Sequence, residues 1–281
     1  MKARYALGID IGGSGIKGAM VDLKKGEFAS DRLRIVTPRP ATPEAVAGVV
    51  KEIVDHFAEQ LGDNPIGITV PAVVTHGITR SAANIDPAWI DAPAEALFEE
   101  ALGRSILLAN DADAAGIAEV RWGAAKKHPG TVLVTTLGTG IGTALIYRGV
   151  LVPNAELGHI EVDGKDAETI AAASVKDNEG LSYEDWATTR LQCYYETVEA
   201  LIWPDLIVVG GGVSKNSDQF LPLLKLKTPI VPAKLRNAAG IVGAAWLAAD
   251  NLEHPDELRD GATALASSRA AKKKKGSDKG A

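Results

Sequence analysis

Five short segments carry groups that could do chemistry. Asn110-Asp111-Ala112-Asp113 sets an amide and two carboxylates within four positions. An ionised carboxylate within reach of a hydroxyl can take its proton, and the same residue types also cap helices. On local grounds Asp111 reads equally as proton acceptor and as cap, and Asp113 as a first-turn acid favoured by the helix dipole. Asp10 stands just ahead of Gly12-Gly13-Ser14-Gly15. Glycine lets backbone amides approach a bulky anion, and an aspartate there can hold Mg2+ directly or through water. Lys17 reads either as a phosphate partner or as a solvated strand residue. Gly138-Thr139-Gly140 offers a second set of amides, and Gly210-Gly211-Gly212 fits a helix N-terminus turned toward phosphate. Ordinary hairpins and a plain strand-to-helix turn are the alternatives. In Glu156-Leu157-Gly158-His159 an acid and an imidazole three apart could bond vicinal hydroxyls. Without cysteine support they make a poor metal set.

Strands and helices must hold these segments. Tyr5–Asp10 is apolar and β-compatible, and the pattern resumes over Ile16–Asp22 and again over Arg32–Val36. This continuation as strand argues against the dinucleotide fold that Gly13-Ser-Gly15-Ile-Lys-Gly18 matches by letters, because that fold needs a helix there. The P-loop pattern also fails. Thr42 as N-cap and Pro43 at the first helical position predict a helix over Ala45–Leu61 closed by Gly62. Ile66–Val70, Ser105–Ala109, Thr131–Leu137, Thr143–Tyr147 and Leu206–Val209 read as strands. Ala112–Trp122, a segment from Ser182 to Leu201 and Gly240–Ala249 read as helices. Asp10-Ile-Gly12-Gly echoes Thr136-Leu-Gly138-Thr at an offset of 126, each between two strands. The echo suggests a duplicated α/β unit with a ligand between its halves.

The chain has 281 residues, 46% apolar and 23% charged, which suits one large or two small globular units. Cys193 is its single cysteine, which excludes an internal disulfide and any cysteine-clustered metal site. No leader-like segment opens the sequence and no membrane-length apolar run follows, so a cytoplasmic protein without membrane contact is expected. The net charge of −6 is uneven. Residues 267–281 carry six basic side chains against Asp278, a net +5, which leaves −11 on the first 266. Such a body is unsuited to binding nucleic acid along its surface. Residues 253–281 hold almost no large apolar side chains and are expected to form a mostly disordered basic tail.

Six stretches resemble, in order, the ROK family of sugar kinases: Leu7-Gly-Ile-Asp-Ile-Gly-Gly-Ser-Gly-Ile-Lys17, Ser81-Ala-Ala-Asn84, Asn110-Asp-Ala-Asp-Ala-Ala115, Leu137-Gly-Thr-Gly-Ile-Gly142, Glu156-Leu-Gly-His159 and Gly210-Gly-Gly-Val-Ser214. Within that family the chain is similar to the polyphosphate glucokinase branch, on Asn154–Glu161, Gly180–Trp186 and Asn237–Ala245. The resemblance implies an α/β, two-lobed actin-like (ribonuclease H-like) ATPase fold with duplicated domains flanking a cleft. It places a small lobe over 1–109, completed by a helix near 238–250, and a large lobe over 110–237. It implies phosphoryl transfer from polyphosphate, with ATP as a further donor, to the 6-hydroxyl of glucose, with mannose as an alternative acceptor. Asp111 is then the base, and Asn84, Asn110, Glu156, His159 and Glu168 hold the sugar. Asp10, with Mg2+, and Gly12, Gly13, Ser14, Gly15 and Lys17 handle the transferred group. Gly138, Thr139, Gly140, Gly210, Gly211 and Gly212 hold the rest of the donor. Lys126, Lys127, Lys176, Lys215, Lys234 and Arg236 are candidates for a polyphosphate track, with a solvated surface charge as the alternative for each. A homodimer is implied. No zinc is expected, because Asp163-Gly-Lys-Asp-Ala-Glu168 stands where zinc-containing members carry cysteines. A sugar-responsive repressor is not expected, since a strand begins by Tyr5 where such proteins carry a DNA-binding helix-turn-helix.

Overall fold

Tyr5–Gly12 (β1) and Gly15–Asp22 (β2) pair antiparallel across the tight turn at Gly13-Ser14, with Asp10 opposite Lys17. The structure, a computed structural model, describes residues 3–82 and 85–253. Most of both strands is buried, so they lack the polar alternation of a sheet with one wet face. Glu27–Phe28 (β3) and Leu33–Ile35 (β4) pair along the outer side of β2. Helix α1 (Pro43–His56) starts where its cap predicts, with Thr42 Oγ1 accepting from the Ala45 N–H. It stops short of Leu61, because Phe57 leaves helical geometry at φ −95°, ψ 5°, and one separate turn follows, α2 (Ala58–Leu61). β5 (Ile66–Val70) runs parallel to β1. A small hairpin, β6 (Val74–Thr75) and β7 (Ile78–Thr79), comes next, then α3 (Ala94–Leu102), which the sequence reading overlooked. β8 (Leu107–Asn110), parallel to β5, completes the order β3-β2-β1-β5-β8, with β4 also on β2.

α4 (Asp111–Arg121) follows β8 without a loop. β9 (Thr131–Leu137), β10 (Ile141–Tyr147) and β11 (Val150–Val152) form a meander. A hairpin, β12 (Glu161–Val162) and β13 (Lys165–Asp166), leads to two short helices, α5 (Glu168–Ala171) and α6 (Ala173–Glu179). The segment headed by Ser182 is helical to Ile202 but not uniform: α7 (Tyr183–Trp186) widens into a π-turn over Ala187–Leu191 before α8 (Gln192–Ile202). β14 (Leu206–Gly210) lies parallel to β9, and β15 (Ile230–Pro232) parallel to β14. The second sheet is therefore β11-β10-β9-β14-β15. Position for position, its strand directions repeat those of β3-β2-β1-β5-β8, so the echo of the two glycine turns is an echo of whole sheets.

α9 (Ala239–Glu253) is longer than expected at both ends and includes Glu253, which the sequence reading gave to the tail. Residues 254–281, the rest of that expected tail, lie outside the described residues. α9 and α4 pack on each other and against both sheets through small residues. Side chains at Gly8 and Gly67 would overlap the Ile241 and Ala244 carbonyls. One at Gly243 would overlap the Ala114 carbonyl, and one at Gly116 would strike Ala144. The buried Glu119 on α4 accepts from the N–H groups of Ala124 (2.7 Å), Lys234 (3.1 Å) and Leu235 (2.7 Å), tying the far end of α4 to the segment entering α9. Gly243→Ala tests this seam. Overpacking costs about 1–3 kcal/mol against about 1 kcal/mol gained in helix propensity, so the urea midpoint should fall. An unchanged midpoint would show that the two helices can separate freely.

Candidate active site

Asn110 takes the capping position of α4. Its Oδ1 accepts from Ala112 N–H (2.8 Å) and Asp113 N–H (3.0 Å), and its Nδ2 donates to the Ala72 carbonyl (3.1 Å). The cap is therefore not Asp111, which is the first helical residue, with Oδ1 2.8 Å from Ala112 N and its side chain half-buried. Desolvation pushes its pKa up to about 7, and the charges of Asp10 and Glu156 add to the shift. Those two acids therefore neighbour Asp111 electrostatically.

Asp113 lies in the first turn of α4, as expected. It is 3% exposed, Oδ2 accepts from Asn154 N–H at 2.8 Å, and Oδ1 has no partner. Burial pushes its pKa up to about 7. Asn154, at φ 57°, then crosses to the separate β6–β7 hairpin: Oδ1 accepts from Val74 N–H (3.0 Å) and Nδ2 donates to Val74 O (2.9 Å). Sequence reasoning missed this clasp, because its partners stand 80 residues apart.

At the glycine hairpin, Asp10 Oδ2 lies 3.3 Å from Lys17 Nζ, and Oδ1 accepts from Thr69 Oγ1 at 3.3 Å. Lys17 is thus a partnered strand residue rather than a freely solvated one. Ser14 O accepts from Arg34 Nη2 (2.8 Å), and the Arg34 guanidinium occupies the space a side chain at Gly15 would need. Arg34, opposite Lys17 on β4, is a second cation at this turn. Nothing in the sequence gave that register. Gly240 of α9 faces Asp10 from the other side.

The turn after β9 is closed by Gly138 N–H to Gly140 O (2.9 Å). Glu168 Oε2 accepts from Ile141 N–H (2.8 Å) and fills the space over Gly140. The Ser174 N–H donates to Gly138 O (3.0 Å) and its hydroxyl to Thr139 O (2.6 Å). Gly210, Gly211 and Gly212 lie alongside, since β14 is the parallel neighbour of β9, and Gly211 takes φ 82° where it meets the Leu137 backbone. The expected helix N-terminus does not form there. Gly212–Gln219 is a run of 3-10 turns broken at Asn216, without an α-helix's aligned dipoles.

Thr143 Oγ1 accepts from Leu157 N–H (2.9 Å) and bonds Ala155 O, pinning the Glu156–His159 loop to β10. His159 Nδ1 lies 2.9 Å from Asp166 Oδ2, and Nε2 lies 4.0 Å from Glu156 Oε2. The Asp166 bond raises the imidazole pKa above its usual 6.5. Desolvation raises that of Glu156, and the Glu168 charge adds to it. Asp10, Asp111, Glu156 and Glu168 therefore form a continuous series of electrostatic neighbours ending at Gly140. Asp166, inside the Asp163–Glu168 segment, was not singled out from sequence. Asn84 lies outside the described residues.

Two sheets of one topology, with a helix-borne acid beside a glycine hairpin, define an actin-like ATPase fold. The chain belongs to the ROK family, whose model matches residues 6–174. It is 48% identical over 252 residues to the polyphosphate glucokinase of Mycobacterium tuberculosis, covering 89% of this chain and 94% of that protein. The crystal structure of the inorganic polyphosphate/ATP-glucomannokinase from Arthrobacter sp. strain KM is 51% identical, with a TM-score of 0.85, over 89% of this chain and all of that one. The ROK family glucokinase of Streptomyces griseus, solved with glucose and AMPPNP, is 24% identical and shares the fold, with a TM-score of 0.74 over 88% of this chain and 99% of that one. Among the described residues no helix is long and apolar enough to cross a membrane.

Asp166→Asn should lower the His159 pKa toward 6.5, because the carboxylate favours the imidazolium. An NMR titration of the ring nitrogens reads it; an unmoved midpoint would assign the shift to other acids.

Proposed function

We propose that the protein transfers the terminal phosphoryl group of inorganic polyphosphate to the 6-hydroxyl of glucose, giving glucose 6-phosphate, with ATP as a second donor. The carrying observation is Asp111: a desolvated carboxylate at the start of α4, held clear of the capping role by Asn110, with Asp10 of the glycine hairpin as its electrostatic neighbour. The names of the Mycobacterium tuberculosis and Arthrobacter relatives support donor and sugar, and that of the Arthrobacter protein supports mannose as a second acceptor. Family resemblance alone supports a cytoplasmic homodimer, and lobes of residues 1–109 plus 238–250 and of residues 110–237.

Asp111 takes the proton of the sugar's 6-hydroxyl as that oxygen attacks the terminal phosphorus. The bridging anhydride oxygen leaves with the shortened donor. Asn84, the remaining Nδ2 hydrogen of Asn110, Glu156, His159 and Glu168 orient the other hydroxyls. Gly12, Gly13, Ser14, Gly15 and Lys17 grip the transferred group, and Gly138, Thr139, Gly140, Gly210, Gly211 and Gly212 the remainder. Such transfers pass through a loose transition state, so alignment and charge stabilisation do most of the work.

Asp10 keeps lone pairs beyond its bonds to Lys17 and Thr69, and its side chain is 21% exposed. Among the described residues no three His, Cys, Asp or Glu side chains are grouped to cage a metal. That donor set fits Mg2+, which leans on one or two carboxylates, phosphate oxygens and water. The cation would neutralise charge on the transferred group.

Asp111 must be ionised to accept a proton, so kcat/KM should fall as pH drops through about 7. Asp111→Asn should cut turnover by ~10²–10⁴-fold, abolish that acid limb and leave glucose binding nearly intact. Unchanged turnover would move the base elsewhere. The reading as a whole is tested by product analysis with glucose, Mg2+ and each donor in turn. Purified protein that makes no hexose 6-phosphate from polyphosphate or ATP would overturn it.

A further inference from the structure

Past the Gly138 and Gly212 turns lies a cleft of about 460 Å³, with Thr139, Ser174, Lys176, Tyr183, Lys215 and Asn216 on its walls. Among the described residues Tyr183 is its one aromatic ring, the natural platform for a nucleoside base. That ring is already engaged. Phe220 lies nearly parallel to it, at 6.0 Å and 14°, and the Lys176 ammonium sits over it, 4.6 Å from the centroid. Its hydroxyl accepts from Asn216 Nδ2 at 2.6 Å.

Lys176 is firmly placed. Its side chain is only 13% exposed and pairs with Asp177 Oδ1 at 2.8 Å. The start of its helix is bonded through Ser174 to Gly138 and Thr139 of the donor-side turn. Lys215 is exposed on the 3-10 turns after Gly212. Among the described residues Asp177 is the one acid on the walls, and its own side chain is 73% exposed. Of the six cations that could form a polyphosphate track, only Lys176 and Lys215 line this cleft.

We propose that this cleft is a subsite for the distal phosphates of linear inorganic polyphosphate, and that Lys176 and Lys215 bias the protein toward that donor over a nucleoside triphosphate. The inference rests on the phosphotransferase reading above. A chain of phosphates presents a charge at every unit to ammonium groups, whereas a base gains from an open ring face, which Lys176 denies it.

Lys176→Met and Lys215→Met, made in the full chain, remove charge while keeping an apolar stem. Each should raise KM for long-chain polyphosphate by about tenfold, with the KM for glucose unchanged. For ATP, kcat/KM should stay within about twofold, or rise in Lys176→Met as the ring is uncovered. Calorimetric titration with polyphosphate alone, without glucose, should show the same loss of affinity and a shallower salt dependence. Thermal unfolding checks that each variant is folded, and Lys215→Met, altering an exposed residue, serves if Lys176→Met is not. Equal losses with both donors, or no loss with polyphosphate, would overturn the proposal. If the wild-type chain phosphorylated no sugar, the functional reading would fail instead, and the calorimetry would still decide whether the cleft holds polyphosphate.

Discussion

The site depends on how closely α4 and α9 approach each other between the two sheets. Backbone meets backbone at Gly8, Gly67 and Gly243, where a single methyl group would collide with a carbonyl. This sets the start of α4, and with it Asp111, beside the end of β1, and with it Asp10. Longer side chains in the seam would push the sheets apart and separate the acid from the hairpin. Packing density of this kind leaves little room for compromise, since interiors transmit a misfit instead of absorbing it. Glu119 reinforces the arrangement by binding three amides with one buried carboxylate, fixing the entry to α9 against α4.

The same closeness concentrates negative charge. Asp10, Asp111, Glu156 and Glu168 are electrostatic neighbours in series, and the buried Asp113 adjoins Asp111 and Glu156. Desolvation and mutual repulsion hold protons on Asp111 and Glu156 to higher pH than usual, which brings the former toward the range useful to a base at neutral pH. Lys17 and Arg34 supply the opposite charge on the hairpin side.

The sequence made the sheets and turns legible where local chemistry is unambiguous. The hairpin at Gly12–Gly15, the Thr42 cap and the duplicated strand–glycine–strand units all formed as read. What failed depended on partners distant in the chain. Asn110 and Asp111 are both short polar residues able to cap, and only the Ala72 carbonyl across the sheet fixes which one does. The burial of Asp113 was not legible, because the Asn154 turn that takes its carboxylate comes some 40 residues later. The glycines after β14 signalled a turn correctly, but their spacing could not distinguish an α-helix from broken 3-10 turns. α3 was readable in principle from Pro93 before it and Gly103, at φ 64°, after it.

The Asn154 clasp has a consequence for motion. Its amide presents one donor and one acceptor to Val74, much as a neighbouring strand would, and so adds a rung to a hairpin whose strands are only two residues long. That rung is lent by the other half of the molecule. The main-chain proton of Val74 is consequently shielded for as long as Asn154 stays seated, and any local parting of the two segments leaves it to water.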